Sequence, residues 1–207
     1  MKKLMLLVAL LLAAATAYAG SVDVELLGYS GGKWQNGYPY SASVNGGAAI
    51  DVMCDDYAHG GMPGDHWQAN FTDLGNNDIS LLRFNQLNDA LTLYDEAGWI
   101  LLQTLTTNQN QWTDMNIAVW YIFDNNVQLD QGAQMWLDMA EQEAKNGFQG
   151  IDFHQVGIYT PVDQYGSDLN GPQELLTITS TGTVPEPGTF VLLGTGLVGF
   201  LGRKLLS

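Results

Sequence analysis

One thiol and three imidazoles are the side chains of this 207-residue sequence best suited to chemistry. Cys54 is the single cysteine, so no disulfide can form within the chain, and the thiol must be buried, paired between chains or reactive. It lies in Asp51-Val52-Met53-Cys54-Asp55-Asp56-Tyr57, where the two following carboxylates oppose a thiolate because a like charge raises a thiol pKa. Pairing with His59, His66 or His154 as in a cysteine protease has no local signature. Asp55, Asp56, His59, Asp65 and His66, beside Gly60-Gly61 and Pro63-Gly64, are ligand types for a divalent cation. No helical or hairpin spacing converges those imidazoles, and a polar glycine-rich loop is expected. Asp124-Asn125-Asn126 to Asp130 alternates oxygen ligands without the glycine and terminal glutamate of an EF-hand, and reads as a solvated connection. Asp95-Glu96 and Glu141 with Glu143 fall on helix faces and are expected to be solvated surface, not a glycosidase pair. No catalytic residue, metal or cofactor is assigned.

The elements that must position Cys54 are legible as changes of period. Residues 22–28 alternate Val, Val and Leu with Asp and Glu, the mark of a half-buried strand. Gly31-Gly32, Asn36-Gly37 and Asn45-Gly46-Gly47 are turn signals between further short strands, one over 48–54 and another over 67–71. Helices follow at 89–105, at 111–123 and after Asp130. The third takes Asp130 as its cap and Met135, Trp136, Met139 and Ala140 as its apolar stripe, and closes at Lys145 and Asn146-Gly147. Residues 151–159 and 174–179 return to strand-like alternation. Short strands, a central block of about three helices and C-terminal strands predict an α+β domain. The six tryptophans are spread along the chain, which suits a core better than a carbohydrate platform.

Both extremities differ from this body. Lys2-Lys3, an apolar core from Leu4 to Ala15, and Ala17-Tyr18-Ala19 before Gly20 have the three regions of a secretory signal peptide, cut by signal peptidase between Ala19 and Gly20. At the far end, Pro185 and Pro187 lack backbone N–H donors and hold an extended, accessible connector. Residues 188–202 carry no charge, but as a helix they reach only about 22 Å against a hydrocarbon core of about 30 Å. So short a transmembrane helix suits transient retention, and Arg203-Lys204 keeps the terminus on the cytoplasmic side. The divisions are therefore 1–19 signal peptide, 20–183 exported α+β domain and 184–207 tail. Between the two ends only Lys33, Arg83 and Lys145 oppose 21 of the 22 acids, a net charge near −18. Such a surface repels phosphate backbones, which excludes nucleic acid as a partner.

Pro185-Glu186-Pro187, the apolar segment and Arg203-Lys204 resemble, in order, the three parts of the PEP-CTERM sorting signal of Gram-negative bacteria. That resemblance implies an exosortase-type membrane protease acting near Pro-Glu-Pro, in cells that make an extracellular polysaccharide. Met53-Cys54-Asp55 and Asn116-Ile117-Ala118-Val119-Trp120 together resemble the bacterial thioester-containing adhesin domains, in which a cysteine and a glutamine on a helix form an internal thioester. Here the glutamine position holds Asn116, one methylene shorter, so closing the bond onto Cys54 needs a backbone approach that a packed interior resists. Gln109 or Gln111 could replace it only with a different helix start. The expected function is that of an exported cell-surface or extracellular-matrix protein. It is held briefly at the inner membrane, with a non-enzymatic structural or adhesive role and an exopolysaccharide or surface protein as partner. A covalent thioester adhesin using Cys54 and Asn116, and a secreted hydrolase, are the alternatives.

Overall fold

The structure, a computed structural model, describes residues 21–29, 39–162 and 172–179. Expected strands and helices form where the sequence periods change. Strands β1 (Ser21–Tyr29), β2 (Tyr40–Val44), β3 (Ile50–Cys54) and β4 (His66–Asp73) precede three helices, α1 (Ala90–Gln103), α2 (Trp112–Phe123) and α3 (Gln131–Lys145). Strands β5 (Val156–Pro161) and β6 (Leu175–Ile178) follow. The strands close into a barrel in the order β1-β2-β3-β6-β5-β4.

Local chemistry explains the early part. Asn45 and Gly46 both take positive φ, and Gly47 N–H donates to Val44 O at 2.9 Å, closing the turn between β2 and β3. The register of β1 on β2 slips between Leu26 and Gly28, and Gly28, at φ 131°, supplies the backbone angle of that bulge. Asp130 caps α3 as expected, accepting from Ala133 N–H at 2.8 Å.

Two cores share the strands, one on each face. Val24, Leu26, Ala42, Val52, Cys54, Trp67, Ala69, Tyr159 and Leu175 fill the barrel interior, joined by Trp120 from α2. Met53, Val156, Ile158 and Leu176 point the other way and pack under the helices with Tyr94, Ile100, Leu101, Met115 and Val119. Because neighbouring strand residues face opposite sides, Met53 and Cys54 belong to different cores.

Several expectations change on contact with the tertiary structure. The buried stripe of α3 is Ala133, Trp136, Leu137 and Ala140, while Met135 and Met139 are 45% and 41% exposed. Strand β5 starts only at Val156, because Asp152 accepts from His154 N–H and turns Phe153–Gln155 into a 3-10 helix. Among the described residues no helix is long and apolar enough to cross a membrane. The expected membrane helix over 188–202, the signal peptide, Lys33 and the turns at Gly31-Gly32 and Asn36-Gly37 lie outside the described residues.

Glu96 is not the solvated acid expected of it. It is only 7% exposed on α1, and burial, then Glu141, push its pKa up to about 7, with Lys145 opposing. Its neighbour Asp95 is raised to about 6 by burial. A raised carboxyl pKa costs stability at any pH where the native state must surrender a proton it binds more tightly than the unfolded chain does. Glu96→Gln should therefore stabilise the protein at pH 8 by about 1–2 kcal/mol, allowing for partial solvent access. The gain should shrink below pH 7 and vanish below about 4.5, its ordinary value. Thermal melts of both forms across pH 4–9 check this, and equal melting temperatures at pH 8 would refute it.

Candidate binding site beside Cys54

Cys54 ends β3 with its thiol turned into the barrel, and the chain beyond dives into the interior. Asp55 and Asp56 are both buried, at 0% and 1% exposure. Burying two carboxylates is costly unless a cation and hydrogen-bond donors meet them. Arg83 supplies both. Its guanidinium forms an ion pair with Asp56 and donates to Pro172 O at 2.8 Å, while its backbone N–H donates to Glu174 Oε2 at 3.0 Å. Glu174, fully buried, also accepts from Tyr94 Oη at 2.6 Å and from Thr160 Oγ1.

Asp55 lies against the same Glu174. Burial, then the charge of Glu174 and a hydrogen bond with it, raise the Asp55 pKa well above the ordinary value of 3.8, with Arg83 opposing. Burial beside Glu174 therefore favours the protonated form of Asp55. A proton on Asp55 and the Arg83 guanidinium beside Asp56 make three buried acids tolerable.

The thiol belongs to the same construction. Its sulfur accepts from Asp56 N–H at 3.3 Å. Burial raises its pKa first, the Asp55 charge second, and the Trp120 indole N–H pulls in the other direction. Asp56, expected to share in opposing the thiolate, is instead neutralised by Arg83. Cys54 is thus a buried, protonated thiol.

The structure brings Cys54 and Asn116 together. Asn116, fully buried on α2, donates from Nδ2 to the Cys54 carbonyl at 2.7 Å, and its Oδ1 has no hydrogen-bond partner. Gln109 and Gln111 sit instead in a 3-10 turn before α2, with no buried residue. His59, Asp65 and His66 go to separate partners. His59 Nδ1 meets Asp56 Oδ1 at 2.8 Å, Asp65 Oδ2 accepts from Met62 N–H, and His66 lies 3.7 Å from Asp23 and Glu25. His154 pairs with Asp73 elsewhere, and that carboxylate raises its pKa. Among the described residues no group of three His, Cys, Asp or Glu is placed to hold a metal ion.

Above Cys54 opens a cavity of about 370 Å³, walled by Tyr40, Tyr57, Trp120, His59 and Gln173. The rings of Tyr57 and Trp120 lie 5.3 Å apart at a tilt of 54°. Sequence reasoning missed Arg83, Glu174, Tyr57 and Gln173 as parts of one site. One signal was available: a single arginine in so acidic a body is expected to be claimed by carboxylates.

Residues 183–204, just beyond this domain in sequence, match the family model of the PEP-CTERM protein-sorting motif. The chain carries a PEP-CTERM sorting motif. That motif implies an exosortase-sorted protein of the cell surface. No curated protein matches the chain. Among solved structures, the chain is similar to the N-terminal domain of the Streptococcus pyogenes pilus tip adhesin Cpa (11% identity, 78% of this chain and 94% of that one, TM-score 0.46). It is also similar to the N-terminal thioester domain of a surface protein from Clostridium perfringens (16% identity, 77% and 98% covered, TM-score 0.45). A third likeness is to the N-terminal thioester domain of the fibronectin-binding protein SfbI from Streptococcus pyogenes (11% identity, 76% and 92% covered, TM-score 0.44).

Proposed function

We propose that this protein is a non-enzymatic component of the cell surface or extracellular matrix, with a structural or adhesive role. The observation that carries the reading is the sorting motif at 183–204, attached to an acidic domain whose only thiol is buried and protonated. Signal peptidase removes the leader between Ala19 and Gly20, the tail holds the chain at the inner membrane, and an exosortase-type protease processes it near Pro185-Glu186-Pro187. Arg203 and Lys204 set its orientation during that pause. The partner is an exopolysaccharide or a surface protein. Glu96 is buried on α1 where α3 brings Glu141 and Lys145 near it, so it lends no support to a hydrolase.

Replacing Pro185, Glu186 and Pro187 together with alanine tests this directly in the native host. The unaltered protein should appear trimmed at the surface or in the medium, and the variant should accumulate uncut in the inner-membrane fraction. Identical distributions for the two forms would overturn the reading.

One observation favours a second reading, the covalent adhesin: the structure sets Asn116 beside Cys54. In that chemistry the Cys54 sulfur attacks the Asn116 amide carbon, the C–N bond breaks, and ammonia leaves with the thiol proton. The Asn116 side chain is one methylene shorter than glutamine and would have to be drawn toward the sulfur through a packed interior, which supports the non-covalent form. Intact mass of the exported protein should equal that of the unmodified processed chain. A mass lower by one ammonia, restored and exceeded by methylamine addition, would establish the thioester.

A further inference from the structure

The cavity over Cys54 combines features that no single element of the chain supplies. We infer that it binds a neutral sugar ring of a glycan, an inference that rests on the surface role proposed above and names its ligand. Its volume of about 370 Å³ falls within the usual range of small-ligand sites, roughly 300–1,000 Å³.

One wall is aromatic. Tyr57 is 53% exposed, and its ring is steadied against the buried Trp120. A ring so held offers a flat apolar face with little freedom to lose, suited to the C–H face of a pyranose. The rest is polar. His59, 18% exposed, is oriented by Asp56, and Gln173 contributes its amide.

Charge then selects among ligands. Asp56 is the carboxylate in the wall, and Arg83 and His59 already engage it, so a cationic ligand finds no spare counter-ion. Arg83 is itself committed, and the acidic body repels anions. Hydroxyl groups, which both donate and accept, match an amide and an imidazole without bringing charge. Binding would need little reordering. Arg83 ties the Asp56 side of the cavity to Pro172 and Glu174, the residues flanking Gln173. Gly61 keeps the rim low, since a Cβ there would come within 2.9 Å of Leu26 Cδ2 and 3.8 Å of Gln173 Nε2.

The test uses the exported protein as purified from its host, on an array of neutral hexose oligosaccharides, uronic-acid oligosaccharides and amine-bearing glucosamine oligomers. Retention on neutral glycans is expected, weakened about tenfold or more by Tyr57→Ala and also reduced by Gln173→Leu. Leu105→Ser, on a 63% exposed side chain not among those lining the cavity, should bind as the unaltered protein does. Melting temperatures separate loss of binding from loss of fold, and the two site variants back each other if one is unstable. No retention on neutral glycans, retention only on uronates or amines, or full binding by both site variants would overturn the inference. Failure on the array with normal surface delivery removes this ligand alone, whereas failure of delivery removes the surface role.

Discussion

Arg83→Met should lower the stability of the exported domain by about 3–5 kcal/mol, the usual result of removing one partner of a buried ion pair. The reason is specific to this interior. Arg83 is the cation among Asp55, Asp56 and Glu174, and its loss leaves Asp56 buried with only the His59 imidazole beside it. The guanidinium bond to Pro172 O goes with it, freeing the chain that enters β6. For a domain of this size the melting temperature should fall by about 10 °C. The cavity wall depends on the same tie, so the neutral-glycan binding inferred above should weaken in parallel. Chemical denaturation of both forms measures the effect, and a loss below about 1 kcal/mol would mean that the pair contributes no more than a surface salt bridge.

The second large effect is a decline of stability toward alkaline pH, with Asp55→Asn removing much of it. The folded-state pKa of Asp55 is raised above the unfolded value, so between those two values the native state holds a proton that the unfolded chain has lost. Stability therefore falls as pH rises through that window, by up to about 1.4 kcal/mol per pH unit for one such group. Asp95, raised to about 6, and Glu96, raised to about 7, act with the same sign at lower pH. His154 adds to it too, because the Asp73 partner that raises its pKa stabilises the protonated form, and that contribution is lost as pH rises. Asn at position 55 keeps a donor toward Glu174 without an ionisable proton. Denaturation from pH 5 to pH 9 should show a steep slope in the unaltered protein and a shallower one in the variant. Parallel curves would show that Asp55 does not carry the alkaline loss.

Much of the fold was open to reading because local physics dictates it. Val24 and Leu26 alternate with Asp23 and Glu25 in β1, Asn45-Gly46 supplies the turn, and Asp130 caps α3 through its own side chain. The closing of the barrel was not legible, since β3 pairs with β6, setting Val52 against Thr177 with the whole helical block between them. No local pattern records such a register. Glu96 was misread for a related reason: a helix face is solvated or buried according to what packs on it, and here α3 does. Met135 and Met139 show the converse, apolar residues left outside because Trp136 and Leu137 took the inward direction.

The candidate site divides along the same line. Cys54 and Asn116 could be paired beforehand by resemblance to a known arrangement, and the structure places them in hydrogen-bond contact. Arg83, Glu174 and Gln173 could not be joined to them, because their partners lie as far as 91 residues away in the chain. By itself, the sequence determined the sorting motif, the acidity of the body and the order of strands and helices, all of which depend on neighbouring residues or simple counts. Only the tertiary structure decided which acids would be buried, which of them would be held toward the protonated form and which aromatic rings would wall one cavity. Those outcomes depend on charges and surfaces meeting across long loops, where the free energy of an ionisable group is set by what is brought beside it.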